Sequence, residues 1–217
     1  AGLAQLQAGE FLYETSLFPD LEYTFKHALT HDVAYASLLG ERRRQLHAAI
    51  VDALERLHAD RLGEHVELLA HHATRGEAGK KAVQYLRQAG VKAVARSANR
   101  EAVGLFEQAL TLLQELPPST DTLADSIDTR IALGPALIAL KGATAPEVEA
   151  LYLCAQDLVD RLGDESRRFP VLWGLWYVSY VRGRYPTARE TGERLLETSR
   201  GGEDTGRLLE AHHALWA

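Results

Sequence analysis

Small residues placed where two helices must touch constrain this chain more than any other feature. Leu86, Gly90, Ala102, Phe106 and Ala109 stand at intervals that put glycine and alanine at a helix crossing, with one ring beside them. Gly183, Tyr185 and Ala188 repeat the turn and the start of the second helix inside the run GRYPTARE. A unit of two helices cannot bury its apolar face alone, so such units stack on their neighbours. The chain is therefore predicted to be mainly α, an α-α superhelix of repeats whose curved surface binds other proteins.

Apolar periodicity divides the array into helix pairs. The first pair is predicted over 80–95 and 99–116, with Ala102, Val103, Phe106, Ala109, Leu110 and Leu113 as the buried stripe of its second helix. Pro117 and Pro118 end that helix. A second pair is predicted over 127–140 and 146–162; Pro135 is expected to kink or divide its first helix, and Gly163 to stop its second. The third spans 169–181 and 186–199, with Pro186 in a first turn. If Val148 is the middle equivalent of Ala102 and Ala188, the intervals are 46 and 40 residues. Both exceed the roughly 34 residues of a tetratricopeptide unit, so the repeats read as tetratricopeptide-like.

Residues 28–79 precede the array as a helical linker. Leu29, Val33, Ala36 and Leu39 are expected to share one face, as are Leu46, Ile50, Ala53, Leu54 and Leu57, followed by Val66, Leu69 and Ala70. The first 27 residues differ. Phe11 and Tyr13, then Tyr23 and Phe25, alternate around SLFPD, which predicts a β-hairpin, and Leu3 and Leu6 before it look like the tail of a helix. A helix followed by a hairpin is how a winged-helix domain ends, so residues 1–27 are assigned to a winged-helix remnant.

Bulk properties exclude several classes. No apolar stretch approaches the roughly 20 residues needed to span a bilayer. No basic region followed by an apolar core marks a signal peptide, and the single cysteine, Cys154, permits no internal disulfide. A reducing, cytoplasmic setting follows. There is no methionine, and EAHHALWA reads as the first helix of a further unit, so a piece of a longer protein with a truncated array (80–217) is expected. Leu208, Leu209, Leu215 and Trp216 would then leave an apolar end prone to self-association.

The run EYTFKHALTHDVAYASLLGERRRQLHAAIVDALE, residues 22–55, closely resembles a segment of class III adenylate and guanylate cyclase-type signalling proteins. In that family a cyclase domain precedes an AAA-like, STAND-type ATPase, then a winged helix and tetratricopeptide-like repeats. LLAHHATRGE (68–77) and KAVQYLRQAGVKAVARSANREAVGLFEQAL (81–110) look similar to the same family. The resemblance covers roughly residues 3–200 and is specific over 22–110. Related repeats occur in STAND-type transcription regulators, where a DNA-binding domain replaces the cyclase. What the resemblance implies is a non-catalytic interaction and regulatory module whose partners include the upstream ATPase and effector domains of its parent.

No catalytic residue carries over. Gly76-Glu77-Ala78-Gly79-Lys80-Lys81 has the wrong spacing for a phosphate-binding loop and no hydroxyl residue. No G-x-S-x-G elbow presents a nucleophile, and Cys154 is expected to be a small packing residue. His27 with His31, and His65 with His72, have helix-face spacing but no completing ligand, and the doublets His71-His72 and His212-His213 point to different faces. No metal or cofactor is expected. Arg42, Arg43 and Arg44 form the one dense basic run, yet the chain carries a formal charge of -6 and the hairpin bears Glu10, Glu14, Asp20 and Glu22. A phosphate backbone would be repelled there, so nucleic acid is a poor partner. A nucleic-acid-binding regulator and an unrecognised helical enzyme remain the alternatives.

The predicted partner surface is the groove side of the first helices. Gln84, Arg87, Gln88 and Val91 line it in the first unit, and Trp173, Tyr177, Tyr180 and Val181 in the third. The alternative for the tryptophans is packing against neighbouring helices.

Overall fold

Alternating aromatic and polar side chains put Leu12–Ser16 (β1) and Glu22–Phe25 (β2) into one antiparallel pair, Leu12 opposite Phe25 and Glu14 opposite Tyr23. The computed structural model describes residues 2–16, 22–200 and 204–216, so nearly all of the SLFPD connection lies outside the described residues. Gly2–Ala8 (α1) carries Leu3 and Leu6, and Gln7 donates to Glu14 at 2.9 Å, tying that helix to the hairpin. Ala28–Ser37 (α2) follows. Neither α1 nor α2 buries a residue.

Nine further α-helices complete the described chain: Gly40–Leu57 (α3), Val66–Arg75 (α4), Gly79–Ala95 (α5), Asn99–Glu115 (α6), Thr120–Lys141 (α7), Pro146–Leu162 (α8), Glu165–Val181 (α9), Tyr185–Ser199 (α10) and Thr205–Trp216 (α11). From α3 onward each helix packs on the next, and α5, α7 and α9 also touch in turn, forming one row. The core is correspondingly distributed. One cluster joins α3 to α6 around Val51, Leu69 and Leu86, a second joins α5 to α9 around Phe106, Leu133 and Val148, and two more follow around Ile127 with Val159 and around Leu172 with Leu195. The molecule is mainly helical with a small hairpin, and among the described residues no helix is long and apolar enough to cross a membrane.

Close approach at the crossings has a consistent basis. A Cβ on Gly90 would stand 2.6 Å from the Phe106 ring, so α5 and α6 meet at their observed separation because that position has no side chain. Tyr152 of α8 takes the place of Phe106 in the next pair and is held between two glycines: a Cβ on Gly134 would lie 2.0 Å from its hydroxyl, and one on Gly174 2.2 Å from its ring. Burial pushes the Tyr152 phenol up to about 12. In the third pair the sizes are exchanged. Trp176, twelve residues before Ala188 as Gly90 is before Ala102, fills the glycine position, and Gly192 stands where Phe106 would. Trp176 is buried among Leu172, Ala188 and Leu195, and its Nε1 donates to the Ala214 carbonyl at 3.0 Å.

Several expectations are corrected. The stripe on α2 is not buried: Leu29 and Val33 are exposed, and Leu39 beyond the helix is 80% exposed. On α3 the expected stripe is used only in part: Leu54 packs on the core, but Leu46, Ile50 and Leu57 are exposed and His47 and Val51 are buried. Helix α7 starts at Thr120, not 127, because Ser119 and Thr122 form a capping box across a polar stretch. It also runs undivided through Pro135, which is itself exposed. Helix α9 starts at Glu165 rather than 169, since the Asp164 side chain accepts from the Ser166 amide at 2.9 Å. Cys154 is exposed and does not pack. Gly163 does end α8, in the left-handed conformation at φ 69°.

Candidate functional site

Three helices of the array enclose an apolar cleft. It measures about 640 Å³, and Val66 of α4, Val91 and Ala95 of α5 and Ala132 of α7 line it, with Arg87, Gln88, Lys92 and Asp128 at its edges. Val91 is the open part of that floor at 53% exposure. It stays exposed because the opposite face of α5, Ala82, Leu86, Ala89, Gly90 and Ala93, is already committed to the core.

Charged side chains tie the cleft's frame together across three helices. Arg87 on α5 meets Asp125 at 2.9 Å and Asp128 at 3.6 Å, both on α7. Asp128 in turn accepts two bonds from Arg167 of α9, at 2.6 and 2.9 Å, and Arg167 also pairs with Asp164. The Ser166 hydroxyl and amide, with the Arg167 guanidinium, hold the Asp164 carboxyl down to about 2. These groups are half-buried, where bidentate pairing retains its geometry and its strength. Lys92 fixes the other end. Its ammonium reaches Glu67 at 2.8 Å and the Gly63 carbonyl at 3.1 Å, anchoring the short 3₁₀ turn Leu62–Glu64.

The predicted groove residues separate in the structure. Arg87, Gln88 and Val91 share the cleft, but Arg87 is engaged by aspartates and acts as frame. Gln84 is exposed and outside the lining. On α9, Tyr177 and Val181 are exposed. Trp173 and Tyr180 instead pack on the cluster containing Trp176, Trp173 tilted against that indole at 4.8 Å and Tyr180 stacked on it at 5.4 Å. The packing alternative therefore applies to Trp173 and Tyr180. Of the predicted packing residues, Leu86, Gly90, Ala102, Phe106, Ala109 and Ala188 are buried. Gly183 makes its turn at φ 70°, whereas Tyr185 is 63% exposed and meets Tyr180 only by its edge.

A second cluster was not legible in the sequence. Tyr35 of α2, His47 of α3 and His72 of α4 form one hydrogen-bonded chain: Arg75 Nη1 reaches the Tyr35 hydroxyl at 3.3 Å, that oxygen lies 3.0 Å from His47 Nε2, and His47 Nδ1 lies 2.7 Å from His72 Nδ1. One proton order satisfies every link. Arg75 donates to the tyrosine oxygen, the hydroxyl donates to His47 Nε2, and His47 Nδ1–H donates to His72 Nδ1, leaving both imidazoles neutral. Burial, with the other histidines and Arg75 nearby, pulls His72 down to about 4, and burial likewise lowers His47 and His71. The doublet His71-His72 does not diverge: both rings adjoin His47. His65 stacks on His58 at 4.0 Å, and among the described residues no group of three or more His, Cys, Asp or Glu is arranged to hold a metal.

The titration of His72 has a measurable consequence. Folded, it stays neutral down to about pH 4, while the unfolded chain takes up that proton near its ordinary value of 6.5. The unfolded state binds more protons across this interval, so stability falls as pH drops through it and rises again on return to neutrality. After allowance for partial exposure, the loss between pH 7.5 and 5 is expected to be about 1–2 kcal/mol. Urea unfolding of the chain and of His72→Gln at the two pH values checks it; an equal pH effect in both would locate the acid sensitivity elsewhere.

Of the basic run only Arg44 is ion-paired among the described residues. Arg44 bonds Glu41 at 2.6 Å and Glu77 at 3.4 Å, and Arg43 lies over the Tyr35 ring at 5.3 Å.

Fold and cleft together define a mainly α chain of sequentially packed helices with an open apolar groove on one row. No family model matches it. The chain is similar to an uncharacterized protein of Rhizobium meliloti (strain 1021), 29% identical over 198 residues that make up 90% of this chain and 19% of that protein. It thus spans about a fifth of the length of the curated relative it matches.

Proposed function

We propose that this chain is a non-catalytic interaction and regulatory module, a tetratricopeptide-like superhelix that takes a peptide segment of a partner on the α5–α7–α9 row. The observation carrying this reading is the cleft around Val91: an apolar floor left open on α5 between α4 and α7, beside a frame of ion pairs that joins α5, α7 and α9. The α5–α7–α9 contacts and the small residues at successive crossings support the repeat assignment. The partner segment would place one or two apolar side chains between α5 and α7, with Gln88 within reach of its backbone. Tyr177 and Val181, exposed further along, would extend the surface.

The helix and hairpin of residues 2–25 are proposed to be the closing part of a winged helix. The whole is proposed to act in a larger cyclase-type or STAND-type signalling protein, where α2 and α3 would pass the state of the array to an ATPase. The similarity over residues 22–110 is the support for that placement.

Peptides selected by display on the folded chain test the cleft. Val91→Glu is expected to weaken the selected peptides tenfold or more while leaving the melting temperature and helical content unchanged. Peptides that bind the Val91→Glu chain as tightly as the original would remove the cleft from the proposal. Tyr177→Ala is the appropriate probe on α9; Trp173→Ala would confound binding with packing.

A further inference from the structure

We propose that the cavity between α2, α3 and α4 is a binding site for an organic anion, a carboxylate or phosphate group carried on an apolar body. This site is separate from the peptide cleft and independent of it. The cavity measures about 550 Å³, a size suited to a small molecule.

Its chemistry selects the charge. Two guanidiniums face it, Arg43 from α3 and Arg75 from α4, and among the described residues no carboxylate pairs with either. The one acid in its wall, Asp32 of α2, is mostly exposed, with its carboxylate 3.0 Å from His31 Nδ1. Arginines that face carboxylates on this acidic chain, such as Arg44, Arg87, Arg167, Arg168 and Arg182, are tied to them, whereas these two are not. Two unpaired guanidiniums converging on one cavity, each with free planar donors, match the oxygens of a carboxylate or phosphate. The apolar requirement comes from the remaining wall, where Leu38, Leu46 and Ile50 offer hydrocarbon beside the Tyr35 ring.

The hydrogen-bonded chain adds a proton response. His47 and His72 meet nitrogen to nitrogen at 2.7 Å, which leaves no space for an ion and room for only one proton between those two atoms, so a further proton must enter at another ring nitrogen. An anion seated against Arg75 would offset the positive charge that, with burial, opposes protonation of His71 and His72. Binding would then favour uptake of a proton by the histidine cluster, so affinity would rise as pH falls. His31, Asp32 and Tyr35 from α2, and Arg43 from α3, are the other groups facing this site.

Phenyl phosphate, benzoate, inorganic phosphate and benzyl alcohol, titrated into the full 217-residue chain, distinguish the possibilities. Followed by NMR of the histidine ring protons, phenyl phosphate or benzoate should shift the His47 and His72 signals, with binding several-fold tighter at pH 6 than at pH 8. Arg75→Gln and Arg43→Gln should each weaken it roughly tenfold, the effect expected for one charge-assisted pair. Tyr35→Phe, which keeps the ring and removes the hydroxyl, should retain binding but change its pH dependence. Inorganic phosphate binding as tightly as phenyl phosphate would overturn the organic assignment. Benzyl alcohol binding as tightly as benzoate would overturn the anionic one. Unmoved histidine signals with every probe, in a chain whose helical content is intact, would overturn the site altogether.

Discussion

Gly134→Ala and Gly174→Ala are each expected to destabilise the chain by about 3 kcal/mol, although alanine is the better helix former by about 1 kcal/mol. The reason is Tyr152. Its ring lies between α7 and α9 with its hydroxyl where a Gly134 Cβ would be and its edge where a Gly174 Cβ would be, at 2.0 and 2.2 Å. Both neighbours of the ring are backbone-close helices, so neither can yield without moving the row that carries Asp128 and Arg167. Urea unfolding followed by far-UV circular dichroism measures the loss. Tyr152→Leu should recover part of it in the double variant, a coupling of about 1–2 kcal/mol for residues in direct contact. Strictly additive effects would mean that Tyr152 does not sit between those glycines.

Phe106→Ala should be comparably severe, at about 4 kcal/mol. Phe106 is fully buried in the cluster shared by α5, α6, α7 and α8, and Gly90 beneath it has no side chain with which to fill the void. Leu153→Ala, on the exposed side of α8, is the matched control and should change stability by no more than about 0.5 kcal/mol. If the two variants unfold at similar urea concentrations, the α5–α6 crossing is not packed as described.

Much of this architecture was legible because it follows from local spacing. The hairpin itself, the α5–α6 pair, the left-handed stop at Gly163 and Pro186 in a first turn are each decided by a few adjacent residues. Helix starts were less legible where the first turns are polar. Ser119 and Asp164 cap α7 and α9 ahead of any apolar period, so a reading based on buried stripes placed both starts too late. The face of α3 was misread for a related reason: Leu46, Ile50 and Leu57 satisfy a helical stripe as well as His47 and Val51 do, and only the position of α4 decides which goes inside.

The groove divides in the same way. Amphipathic spacing brought Gln88 and Val91 to one open face of α5, because the other face had to be buried. The same rule could not tell Tyr177 from Trp173 and Tyr180, since which aromatics are covered depends on α10 and α11 arriving beside α9. Nor could it find the Tyr35–His47–His72 chain, whose members come from three helices and differ by up to 37 positions. By itself the sequence determined the helical class, the hairpin and the small residues at the crossings, all consequences of short-range sterics and hydrogen bonding. Tertiary structure alone decided which apolar faces are covered, how arginines divide between frame and free donor, and where the histidines meet. Those outcomes depend on packing between segments distant in the chain, and no local period encodes that.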